Sequence, residues 1–191
     1  MSIVANVVCK YASWVVSDGR GRNSTTHEII SETIKKAIMI NKNVCVAYTG
    51  TLEVANGVLK ILRSVPIESE PSDRIFEMIT QILENSTIDM QSATSFLVTG
   101  VNGNGDIASY TIGTNLAKQS LIPKDEQQFS FAVLSSGNFD LSLSKYVLDE
   151  IESSKSVSNT GITNAIKRFC NDVADLDDSV NKNLSVVEIR K

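Results

Sequence analysis

The sequence has little of what most metal and cofactor sites require. Its 191 residues contain one histidine, His27, and three cysteines, Cys9, Cys45 and Cys170, whose spacing matches no zinc site. Neither a glycine-rich nucleotide-binding pattern nor the paired histidines of a zinc protease occurs in the chain. We therefore expect no metal and no cofactor, and we interpret the cysteines as reduced, packed thiols of an intracellular protein.

Long apolar runs and an excess of positive charge are also missing. No apolar run approaches the roughly 20 residues that cross a bilayer, and the first residues lack the pattern of a signal peptide. Lys and Arg number 18 against 22 Asp and Glu, a formal charge of −4, whereas nucleic-acid binders are usually basic. These absences disfavour a membrane or nucleic-acid partner, and we expect a cytoplasmic protein.

What is present suits one globular domain that spans residues 1–191. The chain is 42% hydrophobic and 21% charged, both ordinary values for a soluble domain. Short apolar runs bounded by turn residues predict strands, and apolar residues at three- and four-residue spacing predict helices, the second with Ser72 as its N-cap. The predicted strands are 3–9, 14–16, 36–40, 44–48, 95–101, 107–112, 129–134 and 184–189, and the predicted helices are 52–62, 72–83, 139–151 and 162–173.

This order of elements favours an α+β fold. The strands come in adjacent pairs and the helices come in pairs, which is not the alternation typical of a doubly wound parallel sheet. Several strands are apolar almost continuously, so both of their faces need to be covered. We predict a four-layer αββα sandwich, with two stacked antiparallel sheets and a helix pair outside each.

Without a usable histidine, a hydroxyl nucleophile needs another base, either a lysine or a free α-amine. Ser2 supplies both the hydroxyl and the amine once Met1 is removed, and its small side chain permits that removal. An α-amine has a pKa of about 8 and a lysine one of about 10.4, so the amine is the better base close to neutral pH. If Met1 stays, the nitrogen becomes an amide and the base is lost.

The residues around the ends of the first strands form a pattern with Ser2. Asp18 ends the second strand, which a hairpin returns beside Ser2, while Lys36 begins the next strand and Gly50 ends the one after it. In this register the chain resembles the proteasome β-subunit family of N-terminal nucleophile hydrolases, including its simpler bacterial relatives. The matching stretches are residues 2–5, 15–20, 36–40, 47–51 and 134–137.

The resemblance implies a role for each of these residues. Ser2 matches the nucleophile, which in the family is more often threonine. Asp18 and Lys36 match an acidic and basic pair beside the nucleophile, where the Lys36 cation favours the free amine and stabilises the alkoxide. Gly50 matches the residue whose backbone N–H donates to the oxyanion.

Two further positions match residues near the amine. Ser136 matches a serine that hydrogen-bonds beside the amine. The family also carries Asp-x-x-Ser-Gly before its last strand, and here Asp178 is the best match, with Asn181 and Lys182 in place of Ser and Gly. The residues that match the lining of the substrate pocket are Gly21, Ile34, Ile38, Tyr48 and Leu52, which predict a preference for small or neutral side chains.

The function implied is a threonine-type peptidase that uses serine and forms an acyl-enzyme on Ser2. The resemblance further implies a homo-oligomeric ring or spiral that degrades peptides or unfolded protein; an ATPase partner is not identified by the sequence. Two alternatives stay open: a catalytically inactive scaffold or binding subunit of the same fold, and a small-molecule amidase.

Overall fold

Short apolar strands joined by polar turns fold the chain into antiparallel sheets. A computed structural model describes residues 2–23, 26, 28–85, 94–113, 117–135, 145–153 and 159–191. The strands are β1 (Ile3–Cys9), β2 (Ala12–Ser17), β3 (Gly21–Arg22), β4 (Ile29–Ser31), β5 (Ala37–Asn41), β6 (Val44–Thr49), β7 (Ser95–Val101), β8 (Ile107–Gly113), β9 (Gln119–Leu121), β10 (Phe129–Ser135) and β11 (Ser185–Arg190). The helices are α1 (Leu52–Arg63), α2 (Ser72–Asn85), α3 (Lys145–Ser153) and α4 (Asn159–Leu176).

Two main sheets organise the described residues. One has the strand order β10-β1-β2-β11 and the other the order β5-β6-β7-β8-β9, while β3 and β4 form a small ribbon. Every strand pair in the described part of the chain is antiparallel. Together with four helices, this confirms the α+β class.

The two central strands of the first sheet, β1 and β2, are buried on both faces, which explains their nearly continuous apolar sequence. All residues of β1 and β2 are buried. On one face of β1, Ile3 and Val7 share an apolar cluster with Phe169 of α4. On the other face, Val4 shares a cluster with Leu97 of β7, which belongs to the second sheet.

The second sheet carries a cluster of its own against the first helix pair. Val46 and Tyr48 of β6 pack with Leu59 of α1 and Ile79 of α2. Ala47, which lies between Val46 and Tyr48, belongs instead to the cluster that contains Val4. Because successive side chains of a strand point to opposite faces, the sheet has apolar neighbours on both sides.

The turn between β7 and β8 follows from its Asn-Gly sequence. The Asn102 Oδ1 accepts hydrogen bonds from the backbone N–H groups of Asn104 at 3.0 Å and Asp106 at 2.9 Å. Gly105 has φ +78°, a backbone conformation that glycine adopts without strain. The predicted hairpin is confirmed, with Val101 paired to Ile107.

Three short strands lie outside the predicted strands and helices. Gly21–Arg22 and Ile29–Ser31 pair as β3 and β4, and Gln119–Leu121 adds β9 to the edge of the second sheet. The first part of the predicted helix 139–151 lies outside the described residues; α3 covers its end.

The three cysteines are free and buried. Burial raises the pKa of Cys45 to about 12 and raises that of Cys170 as well, so both thiols stay protonated near neutral pH. None of the helices in the described ranges combines the length and the apolarity needed to span a membrane.

Candidate active site

The register of the first hairpin brings Asp18 to the start of β1. Val4 pairs with Ser17, so the next pair along the ladder joins Ile3 and Asp18. The Ile3 N–H donates to Asp18 Oδ1 at 2.9 Å, and the Asp18 N–H donates to the Ile3 carbonyl at 3.2 Å. Ser2 directly precedes Ile3, so the hairpin alone holds Ser2 and Asp18 at one end of the first sheet.

Lys36 reaches the same place from the second sheet. It directly precedes β5, and its carbonyl accepts a hydrogen bond from the Tyr48 N–H at 3.0 Å. Its Nζ donates to Ser2 Oγ at 2.9 Å, to Asp18 Oδ1 at 2.7 Å and to the Arg20 carbonyl at 2.7 Å. An ammonium has three N–H groups, so each has one acceptor and the direction of Nζ is fixed.

These groups are almost completely removed from water. Ser2 is 8% exposed, Asp18 0% and Lys36 3%. A buried charge is tolerated when it is paired and hydrogen-bonded, and Asp18 Oδ2 accepts a further bond from the Arg20 N–H at 2.9 Å. Burial lowers the pKa of Lys36 from its ordinary value, and the neighbouring Asp18 carboxylate acts in the opposite direction.

The arrangement suits a hydroxyl that has to lose its proton. A cation 2.9 Å from Ser2 Oγ stabilises negative charge on that oxygen. While charged, Lys36 has no lone pair and cannot itself remove the proton. The base therefore has to be another group within reach of Ser2 Oγ.

Gly50 lies in the turn that connects β6 to α1. Its φ of +101° lies in the region that favours glycine, which lets the chain turn sharply after the strand. The next residue, Thr51, donates its N–H to Thr94 Oγ1 at 3.1 Å. Gly50 lies two residues after Tyr48, whose N–H bonds to Lys36, so the strand brings this turn towards the lysine.

The Asp178 carboxylate is not brought to Ser2. The side chain is 89% exposed and its Oδ1 lies 3.2 Å from Nη2 of Arg22. Its carbonyl is used instead, because it accepts hydrogen bonds from Arg20 Nη1 and from Arg22 Nη2. A carboxylate beside an arginine at the surface is stabilised without entering the site.

Asp177, the residue before Asp178, is half-buried and its carboxylate is hydrogen-bonded within the loop. Its Oδ1 accepts hydrogen bonds from the backbone N–H of Ser179 at 2.8 Å and from the Ser179 hydroxyl. Burial raises the pKa of Asp177, but these bonds and nearby positive charge outweigh the burial and lower it overall. Ser136 lies outside the described residues; its neighbour Ser135 pairs with Ile3.

The five predicted pocket residues fall into two groups. Gly21 lies against Ile34, whose Cδ1 occupies the space that a side chain at position 21 would need. Ile38, Tyr48 and Leu52 contribute to the cluster between the second sheet and helices α1 and α2. The structure therefore brings Gly21 and Ile34 together, whereas Ile38, Tyr48 and Leu52 pack in the hydrophobic core.

Three residues around the site carry contacts that the sequence patterns did not indicate. The Arg20 backbone binds both Asp18 and Lys36, and its guanidinium pairs with Glu32. Asn181 connects Glu32 to the loop after Asp18. Glu32 and Asn181 are 149 residues apart, so no local spacing could have predicted their contact.

Among the described side chains, no three from His, Cys, Asp and Glu lie close enough to hold a metal ion.

No protein-family model matches the chain, and no curated protein matches its sequence. Among solved structures, the chain is similar to eukaryotic HslV from Trypanosoma brucei, with a TM-score of 0.68 and 11% identity over 99% of each chain. At that identity the similarity establishes the fold alone.

Proposed function

We propose that this protein is an N-terminal nucleophile peptidase that forms an acyl-enzyme on Ser2. The observation that supports this best is the 2.9 Å hydrogen bond from the Lys36 ammonium to Ser2 Oγ, inside a buried group that also contains Asp18. HslV, whose fold the chain shares, is a proteasome-like N-terminal nucleophile protease.

The proposed first step uses the α-amine of Ser2 as the base. The Ser2 Oγ attacks the peptide carbonyl carbon and forms the C–O bond, while its proton passes to the amine. Lys36 stabilises the alkoxide, and the Gly50 N–H donates to the oxyanion. The amine then gives its proton to the leaving nitrogen, the C–N bond breaks, and an ester remains on Ser2.

The second step releases the other product by the same route in reverse. Water gives a proton to the amine and attacks the ester carbonyl, and the returning proton restores the Ser2 hydroxyl as the ester bond breaks. Both steps need a free amine, so the proposal requires that Ser2 becomes the first residue of the working protein. Ser136 is proposed to support this amine.

The proposal includes the assembly and the layers of the fold. Three apolar clusters alternate with the two main sheets, which supports the predicted four-layer αββα order within one domain of residues 1–191. We propose that copies assemble into a homo-oligomeric ring or spiral and that the substrates are peptides or unfolded proteins. Ile34 beside Gly21 supports a pocket for small or neutral side chains.

Turnover of fluorogenic peptides tests the proposal directly. Ser2→Ala and Lys36→Ala should each reduce kcat/KM by about a thousandfold or more, because the nucleophile or its cation is removed. Lys35→Ala is the matched control: this neighbouring lysine is exposed, so turnover should stay within about twofold of wild type.

Intact mass and two substrate classes separate the alternatives. A protein whose mass still includes Met1, and which cleaves neither peptides nor simple amides, is the scaffold subunit. A protein that has lost Met1 and cleaves simple amides but not peptides is the amidase. Either result contradicts the peptidase proposal.

A further inference from the structure

We infer that Glu32 and Asn181 are positioning residues that hold the loop after Asp18, so that the Arg20 carbonyl accepts the third proton of the Lys36 ammonium. The inference deepens the proposed function and rests on it, since the ammonium matters for catalysis only if Ser2 reacts. Both residues act through Arg20.

The Arg20 backbone binds both members of the buried ion pair. Its N–H donates to Asp18 Oδ2 at 2.9 Å, and its carbonyl accepts from Lys36 Nζ at 2.7 Å. Displacing this one residue therefore weakens the hold on the carboxylate and on the ammonium together. The geometry of the ion pair depends on where Arg20 lies.

The Arg20 side chain is fixed by Glu32. The Arg20 Nε lies 3.2 and 3.1 Å from the two carboxylate oxygens, and Nη2 lies 3.1 Å from Oε1. This close pairing of the guanidinium with the carboxylate restricts rotation of both side chains. Nη1 donates to the Asp178 carbonyl, which ties the same guanidinium to the loop before β11.

Asn181 connects three segments with one side-chain amide. Its Oδ1 accepts the Gly19 N–H at 3.0 Å, and its Nδ2 donates to the Glu32 carbonyl at 2.9 Å and to the Glu32 carboxylate. Asn181 is 6% exposed, so these bonds replace water rather than compete with it. The amide thus holds Gly19, which directly precedes Arg20.

Gly19 shows how closely these segments approach. A Cβ at this position would lie 2.6 Å from the Glu32 carbonyl oxygen and 3.1 Å from that of Asn183. Both oxygens belong to backbone, which cannot move aside as a flexible side chain can. The loop is therefore held at a distance that only glycine permits, directly next to the residue that binds the ion pair.

The test follows the titration of Lys36 by NMR in the complete protein with ¹³C,¹⁵N-labelled lysine. In Asn181→Ala no charge changes, so a shift reports geometry. We expect the Lys36 midpoint to fall by about half a pH unit or more, because the ammonium loses the Arg20 carbonyl. Peptide turnover should lose about tenfold in kcat, with KM within about twofold.

Asn183→Ala is the matched control from the same loop. Its exposed amide donates to the same Glu32 carbonyl at 3.2 Å, but the Gly19 N–H donates to Asn181 Oδ1 and not to Asn183. The Lys36 midpoint and kcat should equal those of wild type. If Asn181→Ala does not fold, Glu32→Gln replaces it, because this near-isosteric change weakens the bonds that the Glu32 carboxylate accepts from Arg20 and Asn181.

The inference is overturned if Asn181→Ala folds and its Lys36 titrates as in wild type. If Asn181→Ala does not fold, the same result for Glu32→Gln overturns it. The NMR measurement needs no catalysis, so it gives its answer even if wild type cleaves no peptide. In that case the proposed function fails, and the NMR titration still shows whether Asn181 and Glu32 position Lys36.

Discussion

A lysine as deeply buried as Lys36 stays charged only if each of its N–H groups finds an acceptor. Its three acceptors come from two places: the Ser2 hydroxyl at the start of β1, and Asp18 and the Arg20 carbonyl in the loop after β2. Burial lowers the pKa of Lys36 and Asp18 opposes that effect. The charge on Lys36 therefore controls the proposed chemistry of Ser2.

The pH profile of kcat/KM should show both titrations. In the proposed mechanism the Ser2 amine is the base and works only when neutral, so activity should rise as an α-amine of ordinary pKa, about 8, loses its proton. Lys36 acts only when charged, and burial lowers its pKa, so activity falls again below the lysine value of about 10.4. A profile flat up to about pH 10.4 would show that Lys36 has no such role.

At the scale of single elements, the sequence predicted long strands and hairpins well. Continuous apolar runs predicted β1 and β6, and the Asn-Gly turn predicted the β7–β8 hairpin. It missed β3 and β4 because two- and three-residue strands are too short to show a period. Ser72 was expected to cap α2, yet its hydroxyl donates to the Gly100 carbonyl at 3.2 Å, a contact set by tertiary packing.

Helix α1 contains a glycine, a residue with low helix propensity. Gly57 lies inside Leu52–Arg63, it is exposed, and nothing lies within 4 Å of where its Cβ would be. Gly57→Ala should therefore raise the free energy of unfolding by about 0.5–1 kcal/mol, measured by urea unfolding.

Gly100→Ala provides the contrasting case. Gly100 has φ +151°, and a side chain there would collide with the Asn43 carbonyl, so this substitution should lower the free energy of unfolding. Equal effects at the two glycines would contradict the account of both positions.

At the scale of the whole molecule, the candidate site depends on how the two main sheets face each other. Ser2 directly precedes β1 and Asp18 directly follows β2 of one sheet, and Lys36 precedes the edge strand β5 of the other. A fully buried polar contact joins the sheets: Thr99 Oγ1 of β7 lies 2.8 Å from Ser13 Oγ of β2. Sequence patterns place residues on strands, but no pattern specifies which residues of two sheets meet, so Glu32, Asn181 and this contact were missed.

Thr99→Val should lower the free energy of unfolding by about 1–3 kcal/mol, because the buried hydroxyls of Ser13 and Ser109 each lose a hydrogen bond to Thr99 Oγ1. Thr111→Val is the matched control on β8. Thr111 is 4% exposed, and its Oγ1 has no hydrogen-bond partner in the described ranges, so its loss should cost less. Urea unfolding of both variants measures the difference, and a larger loss for Thr111→Val would contradict a stabilising contact between the sheets.

The most direct measurement of the central claim is labelling with a peptide epoxyketone, followed by mass mapping of the modified peptide. This reagent forms its ring adduct only with a hydroxyl and a neighbouring free amine, which the proposed mechanism places together on Ser2. The account predicts one adduct per chain, on Ser2, that is lost in Lys36→Ala and kept in Lys35→Ala. A protein that cleaves peptides but carries no adduct on Ser2 would contradict it.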